Sequence, residues 1–292
     1  MKIEYEWDSE PYITAYTFRK YCDHAFFTLD DSPEVRKHGN QVDPLAVKNN
    51  DRIFVVTDLF DIFMRHVHRQ INCNYQLLTS RSDVHITQEI ADQVLQDQKI
   101  TKWHAVNCSA KSDKIVSIPL GLDNRTWKSP DNARPKTELI EQINEEMSDV
   151  EPSKNFLVSF NEKTNRSERL RCHKLLSGLE NSTFKMVSQE DSYKKNPQLD
   201  FYRAIKSHRF VVCPWGNGFD CHRNWQTWYL KGIPVIRRHP ALEFCFDLPA
   251  WWIDDWDELH GVDYSEKYEE IRSRYESDSL NKLWFDHWKG LL

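Results

Sequence analysis

Residues 210–236, FVVCPWGNGFDCHRNWQTWYLKGIPVI, change in composition three times. A β-branched apolar run gives way to a loop with Gly216 and Gly218, then to aromatic residues at helical spacing, and finally to a second apolar run. This pattern predicts a strand, a loop, a helix and a strand. Ligands of open parallel sheets bind beyond the carboxyl ends of the strands, where this loop falls.

The loop of this stretch also has the composition of an anion site. Gly216 and Gly218 let the backbone approach a ligand, and the N–H groups that open the next helix favour a negative charge. Arg223 lies in that first turn, and its planar guanidinium suits phosphate. The loop therefore predicts a diphosphate site, and a plain glycine-rich turn with a solvated arginine is the alternative.

Short apolar runs alternate with helix-like segments through the rest of the chain. Strands are predicted at 52–58, 75–80, 114–121, 155–160 and 184–188, and helices at 86–98, 165–179 and 198–208. This alternation predicts the α/β class, with parallel sheets covered on both faces. A charged segment at 128–154 looks like a break between two halves. We therefore expect a first domain over 1–150, a second over 151–265, and a helical tail over 266–292 that packs back on the protein.

Composition and charge exclude several classes of partner. The chain of 292 residues is 39% hydrophobic, which suffices for a large core, and it carries a net charge of −6. An acidic protein does not have the charge of a nucleic-acid binder. The sequence has no apolar run of about 18 residues that could span a membrane, and its acidic amino terminus does not resemble a signal peptide. We therefore expect a cytoplasmic protein.

The seven cysteines fit a reducing compartment. Their number is odd, no CxxC pair occurs, and several lie in apolar runs, so buried free thiols are expected. An alternative is a zinc site, although the close ligand pairs of structural zinc sites are absent. Its ligands would come from Cys213, Cys221, His222, His239 and Cys245.

Residues 207–236, SHRFVVCPWGNGFDCHRNWQTWYLKGIPVI, resemble the donor-binding signature of exostosin-type glycosyltransferases, family 47 and its relatives. NFLVSFNEKTNRSERLR at 155–171 is similar to the strand and the arginine-bearing helix that open the same domain of that family. KIVSIPLGLD at 114–123 looks like the end of the family's first domain. The resemblance implies a GT-B architecture, in which two Rossmann-like domains face each other across a cleft.

The resemblance also implies an activity. Such an enzyme moves a sugar, here xylose or N-acetylglucosamine, from a UDP-sugar to a glycan hydroxyl with inversion, and it requires no metal or other cofactor. By the same resemblance, Asn217, Gly218, Asp220 and Arg223 would contact the diphosphate or sugar. Gln226 stands where the family has a glutamate for the ribose, and an amide can still hydrogen-bond a hydroxyl, but only its oxygen accepts and it carries no charge. Further donor-binding candidates at the same sheet edge are Ser159, Arg166, Arg169, Trp215, His222 and Arg237.

A base must remove the proton of the acceptor hydroxyl, and the first half should supply it at the carboxyl end of a strand. LLTSRSDVHIT offers Asp83 and His85, and FVVTDLFD offers Asp58. We favour Asp83 because it lies at a strand–helix turn. The alternative for Asp83 and Asp58 is a helix N-cap, and His85 could be a partly buried ring with one local hydrogen bond.

Two other functions remain open at the sequence level. Asp255-Trp256-Asp257 is formally an Asp-x-Asp, as in GT-A transferases that hold a nucleotide sugar through Mn²⁺ or Mg²⁺. Acidic residues also favour the first turn of a helix, which accounts for the same pattern without a metal. The second alternative is a non-catalytic protein that binds nucleotide sugars or glycans, and Gln226 supports it.

Overall fold

The computed structural model describes residues 5–6, 8–27, 42–123, 125–126, 134–185, 197–276 and 278–292. The chain divides into two compact units that are not contiguous in sequence. The first unit comprises residues within 1–135, 240–244 and 284–292, and the second comprises 136–239 and 245–283. The domain boundaries expected at 150 and 265 stay predictions, and residues 186–188 of one predicted strand lie outside the described residues.

The first unit is built on a five-stranded parallel sheet. Its elements are β1 (Tyr5–Glu6), α1 (Ala15–Lys20), β2 (His24–Phe26), β3 (Arg52–Val56), α2 (Phe60–His66), β4 (Tyr75–Ser80), α3 (Gln88–Leu95), β5 (Ile100–Ala105), β6 (Ile115–Ser117), β7 (Arg125–Thr126) and, from the tail, α9 (Phe285–Lys289). The sheet order is β2-β3-β4-β5-β6, and β1 pairs antiparallel with β7. Consecutive strands are thus neighbours, and right-handed crossovers place their helices on one face.

The core of the first unit lies on that helical face. Val55, Leu77 and Ala105 of successive strands pack there with Phe63 of α2 and Ala91 of α3. The predicted strands at 52–58 and 75–80 and the predicted helix at 86–98 are confirmed as β3, β4 and α3. Each of these elements has the apolar spacing that burial on one or both faces requires.

The second unit contains another five-stranded parallel sheet. Its elements are α4 (Lys136–Glu146), β8 (Lys154–Val158), α5 (Arg166–Leu176), β9 (Thr183–Phe184), α6 (Pro197–Lys206), β10 (His208–Val212), α7 (His222–Tyr229), β11 (Ile233–Arg237), β12 (Trp251–Ile253) and α8 (Tyr264–Arg272). The stretch 210–236 folds as strand, loop, helix and strand, as its pattern predicts. Both sheets are parallel, which confirms the α/β class.

The strand order of the second sheet marks where a ligand can bind. The order is β12-β11-β10-β8-β9, so the chain leaves β8 in one direction to form β9 and returns on the other side as β10. Such a reversal opens a crevice at the carboxyl ends of the two diverging strands, which is the usual ligand site of a doubly wound sheet. Below that edge Phe156 of β8 stacks on Phe210 of β10, with ring centroids 5.2 Å apart. The loops that follow β8 and β10 therefore begin at a rigid, buried part of the sheet.

Candidate functional site

The loops after β8 and β10 are held together by Arg169 of α5. Its Nε donates a hydrogen bond of 3.0 Å to the Trp215 carbonyl, and its Nη1 donates one of 2.8 Å to the Asn161 carbonyl. Asn165 adds a third link, because its Nδ2 donates to the Gly216 carbonyl at 2.9 Å. Arg169, a predicted donor-binding residue, thus uses at least two of its five N–H groups to hold the two loops in position.

Gly216 makes room for that arginine. A Cβ at this position would lie 3.3 Å from Nη2 of Arg169 and 3.6 Å from Sγ of Cys221. The Gly216 N–H donates to the Gly218 carbonyl at 3.1 Å and also lies 3.2 Å from the Cys221 sulfur. The small residue therefore permits close packing within the protein, whereas the sequence suggested close approach of a ligand.

A further arginine beside the glycine loop is Arg223. It lies in the first turn of α7, whose N-cap Cys221 provides no side-chain hydrogen bond. Nε of Arg223 is enclosed and has no hydrogen-bond partner, and no ion pair of Arg223 is found in the part of the chain that the structure describes. The guanidinium lies over the Phe201 ring, 5.2 Å from its centroid.

Burial lowers the pKa of Arg223, and the like charge of Arg169 acts in the same direction. Arginine remains charged in proteins nonetheless, so a half-buried guanidinium without an ion pair, whose Nε is enclosed, costs free energy until an anion neutralises it. The crevice at β8 and β10 therefore has the electrostatics of an anion site, with Arg223 and the first turn of α7 as its positive end.

Arg237 lies at the same sheet edge, but its charge is already paired. Its Nη1 contacts Oε2 of buried Glu168 at 2.5 Å, and Oε1 of the same carboxylate accepts a hydrogen bond of 3.0 Å from the Trp256 indole. Arg237 also lies over the Trp215 ring, 4.4 Å from its centroid. Arg237 therefore lies at the predicted sheet edge, but Glu168 neutralises its charge. The arginine thereby helps α5, β11 and Trp215 to pack together.

Trp215 belongs to an aromatic cluster with Phe219 and His239. The Trp215 ring meets Phe219 and His239 edge-on at 5.1 and 5.3 Å, and the latter two rings stack at 3.4 Å. The Trp215 indole donates a hydrogen bond of 3.2 Å to the Arg237 carbonyl. All three rings are only half-buried, so they form a partly accessible aromatic surface beside the loop.

The remaining predicted donor residues differ in how accessible they are. Asp220 is buried, and its Oδ1 accepts a hydrogen bond of 2.8 Å from the Trp225 indole, which ties the loop to α7. Ser159 and Gln226 are also buried. Arg166 and Asn217 are exposed, His222 is half-buried and Gly218 is buried. All of these residues lie in β8, β10 and α7 or in the segments next to them.

Asn224 is a residue of this site that the sequence did not single out. It is 1% exposed, yet among the described residues neither Oδ1 nor Nδ2 has a hydrogen-bond partner. It follows Arg223 in the first turn of α7 and precedes Trp225. A polar amide directly before the aromatic residues of a predicted helix is the sequence signal that could have found it.

The three candidate bases lie at one edge of the first sheet. Asp58 accepts a hydrogen bond of 2.8 Å from the Ser82 hydroxyl, which joins the segments after β3 and β4. His85 Nε2 lies 2.7 Å from the Ser109 hydroxyl, and burial lowers the pKa of this histidine. Asp83 is exposed. The N-cap of α3 is Thr87, whose side chain accepts from the Ile90 N–H, and the N-cap of α2 is Leu59, so neither Asp83 nor Asp58 is the N-cap of the helix that follows it.

The Asp-x-Asp segment has a structural explanation. Asp255 caps the short 3-10 turn Trp256–Leu259 and contacts Nη2 of Arg171 at 2.5 Å. That arginine lowers the pKa of Asp255. Asp257 lies within the first turn, as the helix-dipole alternative requires. In the described ranges no three His, Cys, Asp or Glu side chains could hold a metal ion together, and this includes the five residues considered for zinc.

Comparisons with known proteins add little to this geometry. No family model and no curated protein match the chain. Among solved structures, the crystal structure of an α1,3-fucosyltransferase is similar over 89% of this chain and 80% of that chain, with 12% sequence identity and a TM-score of 0.39. A likeness of this size carries no argument about function. No helix in the described ranges has the length and apolar character needed to cross a bilayer.

Proposed function

We propose that the second unit binds the diphosphate of a nucleotide sugar in the crevice at β8 and β10. The observation that carries this proposal is Arg223, a half-buried arginine in the first turn of α7 whose enclosed Nε has no hydrogen-bond partner and which forms no ion pair among the described residues. A diphosphate supplies the missing negative charge and accepts hydrogen bonds from both the guanidinium and the backbone N–H groups. The aromatic cluster around Trp215 offers apolar surface for a base or sugar ring nearby.

On this basis we propose an inverting glycosyltransferase of GT-B architecture and exostosin type. It transfers xylose or N-acetylglucosamine from a UDP-sugar to a glycan hydroxyl and requires no metal. As the bond to the sugar breaks, negative charge develops on the leaving diphosphate, and Arg223 with the α7 amino terminus stabilises it. The acceptor's proton goes to a carboxylate of the first unit, for which Asp83 remains our choice. Asp58 competes with it, because Asp58 lines a groove of about 670 Å³ between α2 and α3.

Replacing Arg223 tests the proposal. Arg223→Ala should lower turnover of a UDP-sugar by about 100- to 1,000-fold, since such donors to a developing charge are worth about 3 to 4 kcal/mol. It should also reduce the thermal stabilisation that UDP gives the wild type. Arg223→Lys should recover part of the binding, because the charge remains while the planar fork is lost.

A matched control is Arg203→Ala in the same unit. Arg203 is exposed and pairs with Glu146 at 2.9 Å, so its removal should leave UDP binding and turnover unchanged. If a folded Arg223→Ala protein binds UDP as the wild type does, or if the wild type binds no nucleotide diphosphate, the proposed site is wrong.

A non-catalytic binder is the second candidate, and Gln226 supports it, because a buried neutral amide stands in the place that the resemblance gives to a carboxylate. The two functions differ in one measurement. If the protein is an enzyme, its incubation with a panel of glycan acceptors and UDP-xylose, UDP-N-acetylglucosamine or UDP-glucose should release UDP from one of these donors. A binder would show thermal stabilisation by the same ligands without release.

A further inference from the structure

Asn224 is a buried amide at the amino end of α7, and Asn144 of α4 is a half-buried amide that contacts the carboxyl end of the same helix. Asn224 is 1% exposed, and in the part of the chain that the structure describes neither its side-chain oxygen nor its side-chain nitrogen has a hydrogen-bond partner. Asn144 donates its Nδ2 to the Tyr229 carbonyl at 2.9 Å, and only its Oδ1 lacks a partner there. Asn144 thus links α4 to α7 through one polar atom, whereas the Asn224 side chain makes no hydrogen bond within the described residues.

A buried amide with both polar atoms unpaired is costly, and native proteins have few of them. Nε of Arg223, the preceding residue, also lacks a hydrogen-bond partner among the described residues. A buried amide and a guanidinium nitrogen without partners, in the first turn of one helix at the carboxyl edge of β8 and β10, indicate that a ligand satisfies both.

The two side chains need different ligand chemistry. Arginine has donors only, and a diphosphate has acceptors only, so the two match. The amide of Asn224 has one acceptor and one donating group, and a phosphate oxygen carrying no proton could satisfy only its Nδ2. A hydroxyl can both donate to Oδ1 and accept from Nδ2. A pair of neighbouring hydroxyls on a sugar ring satisfies the whole amide.

We propose that Asn224 binds a vicinal diol of the ligand whose diphosphate Arg223 neutralises. This inference rests on the proposed nucleotide-sugar site and adds the residue that forms hydrogen bonds with the hydroxyls of its ligand. The diol belongs either to the ribose of the nucleotide or to the transferred sugar, which share this chemistry. Asn224 is thereby a specificity residue, because a site built to hydrogen-bond hydroxyls rejects analogues that lack them.

Asn224→Leu tests the proposal, since leucine has a similar volume and no polar atoms. Affinity for the preferred UDP-sugar, measured by calorimetry, should fall roughly 10- to 100-fold, because the diol loses its partner. The ligand-free variant should melt at the wild-type temperature or slightly above it, because removing an unpaired buried amide also removes its desolvation cost. Asn224→Ala should show the same loss of affinity and serves if the leucine variant does not fold.

The ligand panel assigns the diol. If it belongs to the ribose, Asn224→Leu weakens binding of UDP and of UDP-sugar alike, and 2′-deoxy-UDP binds equally to variant and wild type. If it belongs to the transferred sugar, UDP binds both proteins equally and only the UDP-sugar binds more weakly to the variant. Either result supports the proposal.

The Asn144→Leu variant is the matched control. It should lower the melting temperature, because it removes the hydrogen bond to Tyr229, and should leave affinity for UDP-sugar unchanged. The proposal is overturned if Asn224→Leu binds UDP and UDP-sugars as the wild type does, and early melting of that variant would then indicate an amide that holds a structural water. If Arg223→Ala impairs binding in that case, only this inference fails. If the wild type binds none of the ligands, the proposed function fails with it.

Discussion

His104 of β5 is 1% exposed, and within the described ranges neither of its ring nitrogens has a hydrogen-bond partner. Burial lowers its pKa from 6.5 to about 4, with smaller contributions from the charges of Lys102 and Arg52. The folded protein therefore keeps this ring neutral, while the unfolded chain takes up a proton near pH 6.5. The stability due to His104 is complete above pH 6.5 and is lost as the pH falls towards 4.

This shift gives a prediction for the pH dependence of stability. About 3 kcal/mol of unfolding free energy should disappear between pH 6.5 and 4 through His104 alone. In His104→Leu the free energy of unfolding, measured by urea denaturation at pH 7.5 and 4.5, should therefore fall less on acidification than in the wild type. The exposed His66 provides the control, because His66→Leu should keep the wild-type slope. Equal slopes for His104→Leu and the wild type would contradict the assignment.

Single residues of the site could be predicted from sequence only when their role depends on local chemistry. Arg223 could be proposed as an anion ligand from the sequence, because an arginine in the first turn after a glycine loop suits an anion wherever that loop lies, and this role stays a prediction. The structure pairs Arg237 with Glu168, which lies in a different element, and no local pattern shows that. Asn224 was missed, because whether a buried amide has a partner depends on residues distant in the chain.

At the scale of elements, Arg169 of α5 joins the loop after β8 to the loop after β10. Arg169→Met keeps the apolar stem and removes the hydrogen bonds to the Trp215 and Asn161 carbonyls. We expect a loss of about 2 kcal/mol in unfolding free energy and faster amide exchange at residues 213–221, since these carbonyls lose their donors. Affinity for UDP should fall as well, because the loop then has to be ordered on binding.

Arg171→Met is the matched control for this change. Arg171 lies on the same helix but is exposed and paired with Asp255, so its loss should cost less than about 1 kcal/mol and leave loop exchange unchanged. The linking role of Arg169 is wrong if both variants exchange the loop amides at the wild-type rate.

The elements that the sequence predicted are those whose hydrophobicity differs clearly from that of the flanking residues. β3, β4, β10 and β11 are continuous apolar runs ended by polar or glycine turns. β5 was missed, because Lys102 and His104 interrupt ITKWHA, and β2 contains only three residues. Strand order could not be predicted either, since pairing of β8 with β10 depends on long-range contacts. The crevice between those two strands was therefore apparent only in the fold, although the loop that lines it was apparent in the sequence.

At the scale of the whole molecule, the last residues of the chain return to the first unit. The Phe285 ring is fully buried, its centroid lies 5.2 Å from those of Phe18 and Tyr21, and its N–H donates to the Pro11 carbonyl at 2.8 Å. Because residues 284–292 belong to the first unit, the stability of that unit should depend on them. The first 135 residues expressed alone would lack this contact.

Phe285→Ala should therefore lower the unfolding free energy by about 3 to 5 kcal/mol, the usual cost of removing a buried phenylalanine ring. Urea denaturation followed by tryptophan fluorescence, with Phe285→Leu as a milder change, measures this. Leu291→Ala, at a side chain of the same tail that is 46% exposed, should change stability by less than about 0.5 kcal/mol. If Phe285→Ala unfolds at the same urea concentration as Leu291→Ala, the tail is an appendage, and the first unit is stable without it. A loss confined to Phe285→Ala, partly restored in Phe285→Leu, would show that the tail completes the core of the first unit.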